Sequence, residues 1–304
     1  LAAAESNRRA AQLEIEQRAA LAFHALQLNH ARLQLARERL DAARSYSARR
    51  RERLVRYLAP AERVRLEILH AEAEQAAASA EGEWSEALSR LRTLLALPPE
   101  VEPTAAPLTP APAPAALETL LAGLDAHAAI VAARAERDAA AAGIDAARAR
   151  RFSDPALTLF RERDFIGGQR RNVDGIGLSV QVPLWNTNDG SVAAAKARAD
   201  ATEAKREARQ RALAADLRQS HTHLNHLLEQ AGHFRTQMLE PARKLLDLSR
   251  RSFAAGETNV LALVDAHDGY FQAQGRYLEL LAEGWREAAT LRFAAGQSLL
   301  EDRP

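Results

Sequence analysis

The chain contains no cysteine, so disulfides, thiolate metal ligands, a cysteine nucleophile and a lipidated cysteine are excluded within its 304 residues. Aromatic residues make up only 5% and methionine occurs once, so large side chains for a thick globular core are scarce. Thin, closely packed helices are the expectation. Neither sign of charge dominates: 41 basic residues stand against 40 acidic ones, a net charge of +1. The two signs are mixed along helical stretches, as on solvated faces, and make no basic stripe, so no nucleic-acid partner is expected. No apolar run approaches the roughly 20 residues of a membrane-spanning helix. Residues 1–9 lack the layout of a signal peptide, so an exported protein is expected to carry more chain upstream. No Gly-x-Ser-x-Gly, phosphate loop or paired-carboxylate motif occurs, so neither catalysis nor a cofactor is expected.

What is present is mostly helical pattern. Residues 2–57 carry two apolar rows: Leu21, Leu28 and Leu35 in one, and Leu26, Leu33, Leu40 and Leu54 in the other. An offset of five residues is about 140° around a helix, so this helix is expected to touch a neighbour on either side, like a stave in a cylinder. Pro60 interrupts the pattern, and a second helix is expected over 61–97, ending at Pro98 and Pro99. Residues 98–115 are rich in Pro and Ala and read as a semi-rigid extended linker. A shorter helical segment over 117–150 has Gly123 and Gly143 as weak points. Beyond 190 a helix over 191–254, on the order of 95 Å long, is implied. Its heptad seam is Leu217, Leu224, Ala231, Met238 and Leu245, interleaved with Leu213, Leu227, Phe234 and Leu248. Pro241 is expected to kink it. Gly256, able to take positive φ, and Thr258, able to cap, turn the chain into a last helix over 259–295.

One stretch breaks the helical pattern. Over residues 173–184 Ile176, Leu178, Val180, Val182 and Leu184 fall on one face of a strand, with Gly175, Gly177, Ser179 and Gln181 on the other. About ten alternating residues suit a tilted transmembrane barrel strand, its apolar face toward lipid and its small or polar face lining a pore. A first strand over 156–162, joined through a loop containing Gly167 and Gly168, completes a hairpin. Phe160 and Trp185 are expected at the membrane interfaces, and Arg161, Arg163, Arg170 and Arg171 near lipid headgroups.

A repeat is visible at an offset of 195 residues: 58–62 falls on 253–257, and Leu66, Ile68, Leu69 and Ala71 fall on Leu261, Leu263, Val264 and Ala266. Two helical hairpins therefore follow one plan, and the first copy's own strand pair is expected upstream of Leu1.

The stretch from Asp154 through Leu159, the block Gly175 to Asn186 and the run from Phe253 to Thr258 followed by Leu263, Val264, Asp265 and Ala266 resemble the TolC family of outer-membrane efflux proteins. Within that family the likeness is to the heavy-metal branch of CzcC- and CusC-like channels. The fold class implied is mainly α: long antiparallel coiled-coil hairpins as staves of an α-barrel, plus a β-hairpin contributing to a transmembrane β-barrel. The divisions are 1–97 first helical hairpin, 98–115 linker, 116–152 equatorial-type short helices, 153–185 barrel hairpin, 186–297 second helical hairpin and 298–304 tail.

The resemblance implies a homotrimer in the outer membrane and periplasm of a Gram-negative bacterium. It also implies a periplasmic adaptor and an inner-membrane pump as partners, and lipid around the barrel. Substrate, here a heavy-metal cation, passes through passively. Asp265 aligns with an acidic tip position that narrows the periplasmic entrance, with Gly256 and Thr258 forming the tip turn and His70 the first-copy counterpart of Asp265. The acidic position three residues earlier is Ala262 here. His221, His223, His226 and His233 invite a metal site, but only His223 with His226, or His226 with His233, share a helix face. The rival readings are a soluble coiled-coil scaffold or periplasmic adaptor and, within the family, a type I secretion channel. A scaffold has no use for five alternating apolar positions.

Overall fold

The computed structural model describes residues 2–48, 59–98, 100–101, 103–151, 154–166, 169–180 and 188–298. The elements are α1 (Ala2–Ala48), α2 (Pro60–Leu95), α3 (Leu117–Ala122), α4 (Ala128–Ala149), β1 (Ala156–Ile166), β2 (Gln169–Ser179), α5 (Asp189–Phe234), α6 (Glu240–Ala255) and α7 (Val260–Ala294). Two compact units result, one of Leu1–Arg8 with Asp125–Ala212 and one of Arg9–Leu124 with Leu213–Pro304.

In the larger unit the two rows of α1 have separate partners. Leu26 packs with Ala87, Leu88 and Leu91 of α2, and Leu33 packs with Ala80. Leu35, on the other row, joins Leu246 of α6 and Ala266 and Phe271 of α7. Arg32 spans the same division, with Glu83 of α2 at 3.7 Å and Glu279 of α7 at 3.1 Å. Leu54 lies outside the described residues. The helix starts are built locally. Pro60 opens α2, where its missing N–H costs nothing, and the Glu62 carboxylate accepts the Ala59 N–H at 2.9 Å.

The helix expected over 191–254 is not one regular helix. A π-helical turn at Arg235–Leu239 separates α5 from α6, and the Glu240 N–H donates to the Arg235 carbonyl five residues back. The turn directly precedes Pro241, whose ring and missing N–H disfavour an ordinary α-turn there. A π turn adds one residue to the helical count, and the buried row moves by one position. Leu217, Leu224 and Ala231 are buried, but the next members are the half-buried Leu239 and the buried Leu246. The expected Met238, Leu245 and Leu248 are exposed instead.

In the Pro-rich segment 98–115 the described residues 103–115 lie outside helix and strand but do not act as a free linker. Ala111 is buried with Leu120, Leu217 and Leu291, and the carbonyls of Ala106, Thr109 and Ala115 meet Gln27, Trp285 and His221. The Trp285 indole donates to Thr109 at 2.7 Å. Without backbone donors at its prolines, the segment uses its carbonyls to strap α1, α5 and α7.

In the smaller unit His127 caps α4 by accepting the Ala129 N–H at 3.1 Å. Asn188, at φ 59°, donates to the Ala147 carbonyl at 2.8 Å and so ties the start of α5 to the end of α4. Between them β1 and β2 form a two-stranded antiparallel sheet. Its strands run further toward the turn than the alternation alone suggested, pairing up to Ile166 with Gln169, and β2 ends at Ser179. Gln181, Val182, Leu184 and Trp185 lie outside the described residues.

Because of this register shift, Leu246→Ala destabilises the chain by about 2–5 kcal/mol, whereas Leu245→Ala changes stability by about 0.5 kcal/mol or less. Urea denaturation of the two variants measures this. An uninterrupted heptad reverses the order.

Candidate functional site: strand pair and helical tip

The register of the hairpin settles which residues share a face. Leu157 opposes Leu178, Leu159 opposes Ile176, and Arg161 opposes Asp174. These pairs form one surface, on which the four apolar side chains are 67% to 74% exposed. Val180, just past β2, is exposed as well. The other surface carries Ala156, Thr158 and Phe160 from β1 with Gly175, Gly177 and Ser179 from β2. Phe160 therefore shares the glycine face and not the apolar one, against the expectation that it sits in an interfacial aromatic belt. Its ring lies over Gly175, where an added Cβ would come within 2.8 Å of both Cε atoms. Gly175 makes room for that ring. The apolar surface stops at an ion pair: Arg161 Nε meets Asp174 Oδ1 at 2.6 Å, and Nη2 meets Oδ2 at 3.1 Å.

At the tip of the second helical hairpin, Gly256 adopts φ 77°. The Glu257 N–H donates to the Ser252 carbonyl at 2.9 Å, and the Gly256 N–H to Phe253 at 3.1 Å, closing α6 with a Schellman motif. The cap of α7 is Asn259 and not Thr258: its side-chain oxygen accepts the Ala262 N–H at 3.0 Å. Asn is the stronger cap and stands one residue nearer the first helical turn. Asp265, on the first turns of α7, is exposed, and His70 on α2 is half-buried with its Nδ1 unpaired among the described residues. Within the chain no ion pair joins these two.

A different histidine is the unusual one. His267 is fully buried, and neither ring nitrogen has a hydrogen-bond partner among the described residues. Tyr46 stands edge-on with centroids 5.6 Å apart, and Phe271 lies at 4.6 Å. Two arginines flank this cluster: Arg250 Nε donates to the Tyr46 hydroxyl at 2.7 Å, and Arg39 pairs with Asp268 at 2.8 Å. Burial, followed by the charges of Arg39 and Arg250, pushes the His267 pKa down to about 4. The imidazole is neutral at pH 7. Sequence reasoning passed over it, although Val260, Leu263, Val264, His267 and Phe271 share the spacing of one buried helix face.

The histidines of α5 are not gathered. His223 meets Glu287 at 3.1 Å, His233 stands 3.8 Å from Glu229, and His226 is exposed. Among the described residues no group of three or more His, Cys, Asp or Glu is placed to hold a metal. Nor is any helix there long and apolar enough to cross a membrane, which says nothing of a β-barrel.

The family model for outer membrane efflux proteins matches residues 123–297, more than half of the chain. The chain belongs to that family. The cobalt-zinc-cadmium resistance protein CzcC of Cupriavidus metallidurans is 26% identical over 271 residues, covering 88% of this chain and 64% of CzcC. The chain thus spans a little under two thirds of that curated relative. Among solved structures, the open state of the MtrE outer membrane channel of Neisseria gonorrhoeae superposes with a TM-score of 0.80 at 23% identity, covering 98% of this chain and 69% of MtrE. CusC, solved in a study of transmembrane channel formation, gives a TM-score of 0.78 at 20% identity, covering 97% of this chain and 71% of CusC. The family fold is therefore present over nearly the whole chain: long helical hairpins with a strand pair between α4 and α5.

Two outcomes check the geometry within this family member. Gly175→Val weakens the hairpin, and Phe160→Ala introduced with it restores heat-resistance of the folded protein on gel electrophoresis; no rescue contradicts the packing of Phe160 on Gly175. For His267, the unfolded chain binds a proton below about pH 6.5 while the folded chain does not until about pH 4. Stability is fully present above pH 6.5 and falls as pH drops from 6.5 toward 4, by up to the order of 3 kcal/mol. Denaturation midpoints of wild type should fall more steeply over that window than those of His267→Leu.

Proposed function

We propose that this chain is a passive channel subunit of a tripartite efflux system, probing no chemistry of its own and conducting heavy-metal cations out of the periplasm. The observation that carries the reading is the strand pair, whose one face is an exposed leucine and isoleucine surface and whose other face holds Gly175, Gly177, Ser179, Thr158 and Ala156 with Phe160 lying over Gly175, joined to long charged helices. Such a pair suits a barrel wall between lipid and water, and charged, two-sided helices suit a tunnel in an aqueous compartment. The metal-cation cargo rests on the likeness to CzcC, named for cobalt, zinc and cadmium resistance.

The assembly in this reading is a homotrimer in the outer membrane, met at its periplasmic tip by an adaptor and an inner-membrane pump. The exposed row Met238, Leu245 and Leu248 on α5 to α6, and the exposed Val64 and Ile68 on α2, supply apolar edges for contact between neighbouring copies. Gly175, Gly177 and Ser179 line the pore, while Ile176, Leu178 and Val180 face lipid. Asp265, exposed near the α6 to α7 turn, is the tip residue that three copies bring together as a carboxylate ring beside Gly256 and Thr258, with His70 on the first-copy hairpin nearby. Mutual repulsion and attraction for cations make such a ring sensitive to charge.

Planar-bilayer recordings of the full-length trimer test this. Asp265→Ala is expected to raise the closed-state conductance severalfold and to weaken block by divalent cations applied from the tip side. A wild-type protein that forms no channel, and whose loss leaves resistance to zinc, cobalt and cadmium unchanged, sinks the proposal.

A further inference from the structure

Resting on the membrane-channel reading, we propose that Arg161 and Arg163 form a binding site for the headgroup phosphates of lipopolysaccharide in the outer leaflet. The outward face of the hairpin changes character at one register step. Leu159 and Ile176 are its last opposed apolar pair, and Arg161 with Asp174 is the next. Pairing nevertheless continues for six residues on each strand, from Arg161 and Asp174 to Ile166 and Gln169. At about 3.3 Å per residue and a tilt near 40°, Arg161 stands roughly 5 Å and Arg163 roughly 10 Å beyond Leu159 along the membrane normal. Headgroups occupy the 5–8 Å or so on each side of the hydrocarbon core, so Arg161 stands at phosphate depth, and the long side chain of Arg163 reaches back to it from just beyond.

The direction is set by the chain. The helices α4 and α5 join the hairpin at the end opposite its turn, so with the helices in the periplasm the arginines reach the outer leaflet. There the headgroup is a phosphorylated sugar.

The two arginines are suited to different parts of the task. Asp174 holds Arg161 by two hydrogen bonds, fixing the plane of the guanidinium and leaving three of its five N–H groups for an anion. Arg163 is exposed, makes no ion pair among the described residues, and opposes the uncharged Asn172. Among the side chains described on this face two positive charges stand against the one of Asp174, and Glu162 belongs by alternation to the opposite face. A solvated turn has no reason to sort its charges by face; a strand beside anionic headgroups does. Arg–phosphate forks are among the stronger charge-assisted contacts.

The test uses the full-length trimer in detergent, with native mass spectrometry to count bound bisphosphorylated lipid A, dephosphorylated lipid A and phosphatidylglycerol. Wild type is expected to retain bisphosphorylated lipid A preferentially. The double variant R161Q/R163Q should lose retention at least about tenfold, and R161K/R163K much less. Asn172→Glu, which keeps both arginines but places a carboxylate beside Arg163, should also reduce it, and decides the matter if the double variant fails to assemble. Equal retention by wild type and the Gln or Glu variants overturns the proposal, as does equal binding of dephosphorylated lipid A or phosphatidylglycerol to wild type. Flotation of wild type with phosphatidylethanolamine vesicles separates the two levels: failure to insert there removes the membrane reading itself, whereas insertion without phosphate preference removes only this site.

Discussion

A strand pair has two outer edges, and lipid offers hydrogen bonds to neither. Among the described residues β1 and β2 pair only with each other, so one edge of each carries backbone N–H and C=O groups that water can satisfy and hydrocarbon cannot. A hairpin with an exposed leucine and isoleucine face can therefore enter a bilayer only as part of a closed sheet, with further strands on both sides. On the channel reading, closure of the barrel is what forces neighbouring copies together. The helices then have to follow the spacing that closure imposes, and the requirement on each is a neighbour on both flanks.

The helices meet that requirement by carrying two apolar rows where an ordinary surface helix carries one. α1 uses one row against α2 and the other against α6 and α7. A helix without a neighbour on one flank has its second row uncovered, which is the state of Met238, Leu245 and Leu248. The π turn before Pro241 is the device that reassigns these rows. By adding one residue it passes Leu246 to the inside and leaves Leu245 outside. The buried cluster of His267, Tyr46 and Phe271, between Arg39 and Arg250, sits just beyond that change and joins α1 to α6 and α7 near the tip.

Much of this was legible because it is periodic. The two rows of α1, the alternation over 173–180 and the glycine at the α6 turn each depend on spacing or on one residue's backbone freedom, and the structure has all three. What escaped depends on exceptions to period. A heptad count carries no mark where a π turn will absorb a residue, beyond the proline that follows it. The face of Phe160 depended on the strand register, and its aromaticity pointed to a belt that parity forbids. Asn259 and Thr258 are adjacent cap formers, and the structure gives the role to the stronger of the two, Asn259. His267 occupies an apolar position on α7, but a polar residue type hid the pattern. The strap over 98–115 looked like a linker because composition reports stiffness and says nothing of docking. The repeat likewise aligned residues without aligning faces: Leu69 and Val264 are both buried, yet Leu66 is buried while Leu261 is exposed, since α2 and α7 have different neighbours.

The central claim is that the hairpin stands with one face in lipid and the other in water. The absence of cysteine from these 304 residues makes a direct measurement clean. Single substitutions Leu157→Cys, Thr158→Cys, Leu159→Cys, Ile176→Cys, Gly177→Cys and Leu178→Cys in the full-length protein, reconstituted in bilayers, carry a fluorophore that brominated acyl chains quench. Positions 157, 159, 176 and 178 should be quenched by the lipid, while 158 and 177 should react with a membrane-impermeant thiol reagent and escape quenching. Equal aqueous reactivity at all six positions, or quenching without alternation, would contradict the account.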